Sequence, residues 1–332
     1  MKKKLKAAII GFGSIGKRHL NNLSNLIGKK NIIILTRKKI NSKNFKFTNK
    51  LNEVVSFNPN LTIISNASVD HLRIAKKITN KSNKIFIEKP LSDKSKKIKD
   101  FINFWKKRKI PIFVGYNLRY FNSLIYLKNL VKNDFFGKIH HVNIDACSNL
   151  INWRNDIHYS KSVSAQKKLG GGVLLELSHE LDYLRWIFGD PDYLFSKVKK
   201  LSNLNIDVED TASIILDYKK KNMLINVFLN FFQRNKSRSC IVVGSKKTAK
   251  WDLIKNDVSI YDEKKNKWNP KKFKKNDMNN TYQKEIYDFI YFKKTTKKTH
   301  KDLIFNLNTL KLIEAIKKSS SSDKKIIFNK EI

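Results

Sequence analysis

Cysteine is nearly absent: Cys147 and Cys240 are the only two in 332 residues. That is too few for a disulfide framework, and no cysteine-based metal site is signalled. A reducing, cytoplasmic compartment is the expectation, with no metal. Long apolar runs are also missing, since no stretch reaches the roughly 18 uninterrupted residues of a membrane span. The segment Met1–Ile10 imitates a signal peptide with its basic head and apolar continuation. It then carries glycines, ends at Lys17-Arg18 and shows no small-residue cleavage site. It reads instead as a first buried strand. Carboxylates are scarce, with 28 Asp and Glu against 69 Lys and Arg, a net charge of +41. Such an excess invites a nucleic-acid reading. The lysines, however, are spread along the whole chain and fill polar helix faces. In 91–107, Ile98, Phe101, Ile102 and Trp105 make an apolar stripe and lysines occupy the rest. The joint abundance of Lys, Asn, Ile and Phe fits an A/T-rich coding bias. No specific nucleic-acid partner is expected; the charge favours anionic substrates.

With 41% hydrophobic and 29% charged residues the chain is globular, and it is long enough for two cores. Over the first 115 residues short apolar runs at 6–10, 31–35, 61–65, 84–88 and 112–115 alternate with helical patterns at 14–26, 68–80 and 92–107. This alternation predicts parallel βαβ units with helices on both faces of the sheet. The polar, Asn-rich segment 38–55 reads as a weakly specified connection. Beyond residue 120 a helix at 123–132 leads to a strand at 139–146. Gly170-Gly171-Gly172 opens a helix ending near Phe188, and strands follow at 211–218, 222–232, 239–244 and 249–253. Close strands with short turns predict an antiparallel sheet. Helical patterns at 281–292 and 302–318 and a short run at 326–328 close the chain.

Residues 9–19, Ile-Ile-Gly-Phe-Gly-Ser-Ile-Gly-Lys-Arg-His, place G-x-G-x-x-G between an apolar run and an amphipathic helix. That is the context of a dinucleotide site. Gly11 makes the tight turn, Gly13 admits a pyrophosphate and Gly16 lets the helix pack close. Ser14 and Ile15 complete the cofactor-binding turn, whose free N–H groups face the anion. The same residues nearly form a P-loop, but Arg18 stands where a magnesium-binding hydroxyl is needed. At the end of the second strand, Thr36-Arg37-Lys38-Lys39 contains no carboxylate for ribose hydroxyls. Arg37 and Thr36 suit a 2′-phosphate, favouring NADP over NAD. Asn66 follows the third of the predicted strands and is assigned to the cofactor, while His71, one turn on, caps or packs.

Glu88-Lys89-Pro90 ends a strand and offers Glu88 and Lys89 to the cofactor edge. A partly desolvated lysine beside a nicotinamide has a lowered pKa and can polarise a substrate hydroxyl. In the Gly170-Gly171-Gly172 helix, a continuous spiral puts Glu176, His179 and Tyr183 on one face. His179 with a carboxylate partner, Glu176 or Asp182, has the makings of a general base.

Together with Val114-Gly115-Tyr116-Asn117-Leu118-Arg119-Tyr120, these motifs resemble the Gfo/Idh/MocA family over nearly the whole chain. The resemblance implies an α/β protein. An N-terminal Rossmann domain, a doubly wound parallel sheet, would span 1–118. A C-terminal α+β domain with an open, mostly antiparallel sheet, for substrate binding and oligomer contacts, would span 119–332. It implies NAD(P)-dependent hydride transfer at a carbinol of a sugar or nucleotide sugar, and a homodimer or homotetramer. The family's lysine falls on Lys89 and its histidine on His179. The family's aspartate four residues before the histidine is replaced by Glu176 three before it. This variant resembles a branch associated with bacterial surface-sugar pathways. Tyr116, Asn117, Arg119, Trp153, Arg154, Tyr159, Asp182 and Tyr183 are the substrate-side candidates, with Arg234 a further one for an anionic group. The altered Glu176 spacing keeps open a catalytically silent NAD(P)-binding regulator or scaffold of the same fold.

Overall fold

The computed structural model describes residues 5–79, 84–154, 157–274 and 278–331. The basic head 1–4 and the last residue of the predicted 68–80 helix lie outside these. Along the chain the elements run β1 (Ala7–Ile10), α1 (Ser14–Ile27), β2 (Ile32–Leu35), β3 (Lys46–Thr48), α2 (Leu51–Phe57), β4 (Leu61–Ile64), α3 (His71–Ile78), β5 (Lys84–Glu88), α4 (Ser95–Arg108) and β6 (Ile112–Gly115). They continue with α5 (Asn122–Lys132), β7 (Ile139–Cys147), α6 (Val173–Glu176), α7 (Ser178–Phe188), β8 (Tyr193–Lys199), β9 (Thr211–Tyr218) and β10 (Met223–Asn230). The rest are β11 (Ser237–Gly244), β12 (Thr248–Asp252), β13 (Asp257–Asp262), β14 (Lys267–Lys272), α8 (Met278–Tyr291), α9 (Thr296–Ser322) and β15 (Ile326–Ile327). No helix among the described residues is long and apolar enough to cross a membrane.

The chain divides into two units, Met1–Asn117 with Met278–Leu307, and Leu118–Asp277 with Asn308–Ile332. By this division α8 and the start of α9 group with the first unit. The reason is apolar burial: Ile286, Phe289 and Ile290 of α8 join Ile9, Leu20, Leu23, Ile34, Ile63 and Phe86 in one core cluster.

The first unit carries a six-stranded sheet in the order β3-β2-β1-β4-β5-β6, every pair parallel. Its central strands β1 and β4 are buried at every position, and Thr62 is their one polar residue. The order reverses between β1 and β4, and the crevice at such a switch point is where open α/β sheets bind ligands. The segment 38–55 is not the bare connection expected, for it holds β3 and most of α2. β3 is an edge strand of three residues whose signal is tertiary: it pairs Ile33 with Lys46 and Leu35 with Thr48. α2 buries only Val54 and stops at Asn58, whose left-handed φ of 50° suits a helix C-cap.

The second unit is a nine-stranded sheet, β14-β13-β12-β11-β7-β10-β9-β8-β15, antiparallel except where β10 runs parallel to β7. Strand β10 alternates buried and exposed residues, with Met223, Ile225 and Val227 turned inward. α6 and α7 lie against strands of this sheet, and Tyr183 of α7 meets Trp251 of β12 edge-on at 5.5 Å. The Lys-rich hairpin β13–β14 was hidden from pattern reading because all six residues of β14 are exposed. The helix predicted to run unbroken from 173 to 188 is interrupted at Leu177, with φ −95° and ψ 27°.

Candidate active site

Three glycines shape the turn between β1 and α1. Gly11 has φ +98°, and a Cβ there would stand 2.7 Å from the Asn66 nitrogen. At Gly16 a Cβ would come within 2.2 Å of the Gly11 carbonyl oxygen, so the helix packs at glycine distance. Gly13 faces open space, with nothing within 4 Å of its Cβ position. It is also the N-cap of α1 and provides no capping side chain. The first N–H groups of α1, from Ser14 and Ile15 onward, thus remain available to an anion. Across the crevice, the Ser65 hydroxyl donates to the Ile10 carbonyl. Asn66 follows with its side-chain carbonyl oxygen buried and without a hydrogen-bond partner. An open glycine, uncapped helix N–H groups and an orphaned acceptor fit the pyrophosphate and an amide donor of a dinucleotide.

At the end of β2 the Thr36 hydroxyl accepts from the Lys38 amide and Arg37 is exposed. β5 delivers the Glu88-Lys89-Pro90 segment. Glu88 is buried; one carboxylate oxygen lies 2.5 Å from Nε2 of the buried His19, and the other accepts from the Lys89 amide at 3.1 Å. Glu88 is therefore a structural clasp for the turn bearing the half-buried Lys89. Gly115 is needed beside it, since a Cβ there would lie 3.1 Å from the Glu88 carboxyl carbon. His71, buried, sets Nε2 2.9 Å from the Asn66 carbonyl and Nδ1 3.1 Å from the Pro90 carbonyl.

In the second unit His179 sits in the first turn of α7 at 8% exposure. Two guanidinium forks anchor that helix beside it. Arg238 of β11 grips both oxygens of the buried Glu180 at 2.7 and 3.1 Å. Arg119 grips both oxygens of Asp182 at 2.8 and 2.6 Å. A third guanidinium, Arg185, donates to Asp190 and Thr309. Bidentate pairs of this kind fix orientation as well as charge. Neither Arg238 nor Glu180 was expected at the site. The carboxylate following His179 was a readable signal, but its partner fifty-eight positions later was not.

The break at Leu177 overturns the one-face arrangement of Glu176, His179 and Tyr183. Glu176 belongs to α6, where it accepts from the Ser164 hydroxyl at 2.8 Å and stands 4.0 Å from Arg154. Asp182, read as a possible orienting partner of the histidine, and Arg119, read as a possible anion receptor, are paired with each other. Tyr183 is fully buried, and burial pushes its hydroxyl well above the usual tyrosine range. Asn117 is likewise buried and donates to the Thr281 hydroxyl at 2.8 Å, and Tyr116 is 2% exposed. All three side chains are buried. Trp153 donates to Ser148 at 2.9 Å and meets Phe231 edge-on, and the Tyr159 hydroxyl accepts from the Asn205 amide. Arg234 is exposed on the β10–β11 turn. Among the described residues no cluster of three His, Cys, Asp or Glu could hold a metal ion.

Residues 5–116 match the family model for an oxidoreductase family NAD-binding Rossmann fold, and residues 128–328 match its C-terminal alpha/beta domain. A curated inositol 2-dehydrogenase of Salmonella typhimurium is 24% identical over 266 residues, 75% of this chain and 74% of that protein. Among solved structures, the WlbA dehydrogenase of Bordetella pertussis, in complex with NADH and UDP-GlcNAcA, superposes with TM-score 0.76 at 16% identity. The match covers 99% of each chain. Myo-inositol 2-dehydrogenase of Lactobacillus plantarum gives 0.75 at 18% identity over 98% of this chain and 100% of that one. At these identities the superpositions establish the fold.

Proposed function

The chain belongs to the Gfo/Idh/MocA oxidoreductase family, and from that premise we propose that it oxidises or reduces a carbinol of an anionic sugar or nucleotide sugar. The observation that carries this reading is the crevice between β1 and β4, with open Gly13, uncapped α1 and the orphaned Asn66 acceptor. Gly11, Gly13, Ser14, Ile15 and Gly16 hold the diphosphate through backbone N–H groups, and Asn66, Glu88 and Lys89 line the cofactor edge. NADP is the proposed cofactor over NAD. The support is the carboxylate-free end of β2, where Thr36 and exposed Arg37 would be the groups to meet a 2′-phosphate. When bound, the nicotinamide supplies the hydride donor or acceptor.

His179 takes the hydroxyl proton as general base and returns it in the opposite direction. Lys89, at the cofactor edge of the first unit, is the group proposed to donate to a substrate oxygen and stabilise negative charge there. Glu180–Arg238 and Asp182–Arg119 keep the imidazole's helix in place, and Glu176 orders Ser164 and Arg154. Trp153, Arg154 and Tyr159 contact the sugar, with the basic surface drawing in its anionic group. Inositol, named for the Salmonella dehydrogenase, and UDP-GlcNAcA, bound in the WlbA complex, are of the same polyhydroxylated kind. We further place the protein in the cytoplasm, in bacterial surface-polysaccharide biosynthesis, as a homo-oligomer. Ile215, Leu224 and Phe228 on the open sheet face are 46%, 47% and 42% exposed, an apolar strip suited to a second copy.

The test is a panel of acidic sugars and nucleotide sugars with NADP or NAD, followed by nicotinamide absorbance. Turnover with an anionic member supports the proposal. A dinucleotide that binds but is never oxidised or reduced with any member supports the silent, regulatory reading instead.

A further inference from the structure

We propose that His71 is a positioning residue that couples the segment carrying Asn66 to the segment carrying Lys89, by presenting one imidazole to two backbone carbonyls. The inference rests on the dinucleotide-binding reading above. His71 is the first residue of α3 and is 1% exposed. Its two ring nitrogens meet the carbonyls of Asn66 and Pro90 at 2.9 and 3.1 Å. Asn66 carries the buried, orphaned side-chain oxygen at the end of β4, and Pro90 directly follows Lys89. One buried ring thus touches the backbone of both segments that the proposed chemistry needs.

The acceptors decide how it works. Carbonyls only accept, and a neutral imidazole carries one N–H. The neutral ring therefore holds one segment by a hydrogen bond and turns a lone pair toward the other carbonyl. The imidazolium holds both. Burial draws the His71 pKa below 6.5, while the Asn66 carbonyl, the Glu88 carboxylate, the Pro90 carbonyl and the Asp70 carboxylate oppose this. The charged groups facing it are Glu88 from β5 and Asp70 just before α3. Lys97 of α4 is held away at Asp93 and the Val69 carbonyl. At neutral pH the ring grips one segment at a time and leaves slack between Asn66 and Lys89; acid removes that slack.

Two measurements on the full chain, from about pH 8 down to the lowest pH at which circular dichroism shows it folded, test this. Nitrogen NMR of histidine-labelled protein reads the protons on the His71 ring. Calorimetric titration with NADH, which lacks a titrating 2′-phosphate, reads the dissociation constant. We expect one ring proton at the neutral end and two at the acid end. NADH should bind about five-fold more tightly in acid, the change that one hydrogen bond carries. His71→Asn, which keeps a single donor group, should bind NADH with no such pH dependence. Ring nitrogens that do not change over the range, or an equal pH slope in His71→Asn, would overturn the coupling while leaving the dinucleotide site intact. Binding of neither NADH nor NADPH at any pH would defeat the functional reading itself, and the coupling with it.

Discussion

Nε2 of His19 stands 2.5 Å from a carboxylate oxygen of Glu88, joining the helix that begins at the glycine turn to the strand that delivers Lys89. Both groups are buried. Replacing His19 with Leu leaves a buried carboxylate short of a partner, so unfolding free energy should fall by about 2–3 kcal/mol. Urea denaturation measures it, and a loss within experimental error would show that the contact does not stabilise the unit.

His179→Ala removes the proposed base from a helix otherwise held by Arg238 and Arg119. Turnover should fall about 10²–10⁴-fold, with dinucleotide affinity unchanged by calorimetry. Activity within a few-fold of the parent protein would remove His179 from the mechanism.

Arg37→Ala separates the two cofactors. A charge-assisted contact to a 2′-phosphate is worth about 1.5–3 kcal/mol, so NADP should bind roughly ten-fold or more weakly and NAD equally well. Equal losses for both would mean that Arg37 does not read the phosphate.

Gly16→Ala drives a methyl to 2.2 Å from the Gly11 carbonyl oxygen, which is backbone and cannot step aside. Dinucleotide binding should be lost even where circular dichroism shows the chain folded. Normal binding would show that the helix can shift away without cost to the cradle.

Asp210 supplies an acid-sensitive contribution to the second unit. Burial raises its pKa, but hydrogen bonds from Ser202, Leu201 and Thr211 outweigh this and hold it below 3.8. A depressed folded-state pKa gives stability that is full above the unfolded value and lost as pH falls through the folded one. Asp210→Asn should therefore be destabilised by about 1.5–3 kcal/mol near neutrality. The gap to the parent protein should close as the pH drops below 3.8. Parallel melting curves at all pH values would contradict this.

Much of the fold was legible because burial on both faces leaves continuous apolar runs. β5 and β6 begin and end where those runs do, and the glycine spacing located the crevice. What escaped was written in long-range pairing. β3 exists because Thr48 and Lys46 find β2, and α8 joins the first unit because Ile286 and Phe289 fit under β1 and β5. In the site, periodicity placed Glu176 on the face of His179, and the backbone turn at Leu177 undid that. Only distant arginines, Arg119 and Arg238, reveal how the carboxylates of α7 are used.

The first unit closes its core with residues encoded more than 160 positions after its sheet is complete at Gly115. Recombination that exchanged residues 1–117 as a cassette would strand that core without its C-terminal cover. A nucleotide-binding half exchanged for another would thus have to bring α8 with it. During synthesis, too, the ribosome must finish α8 before the unit that it makes first can be sealed.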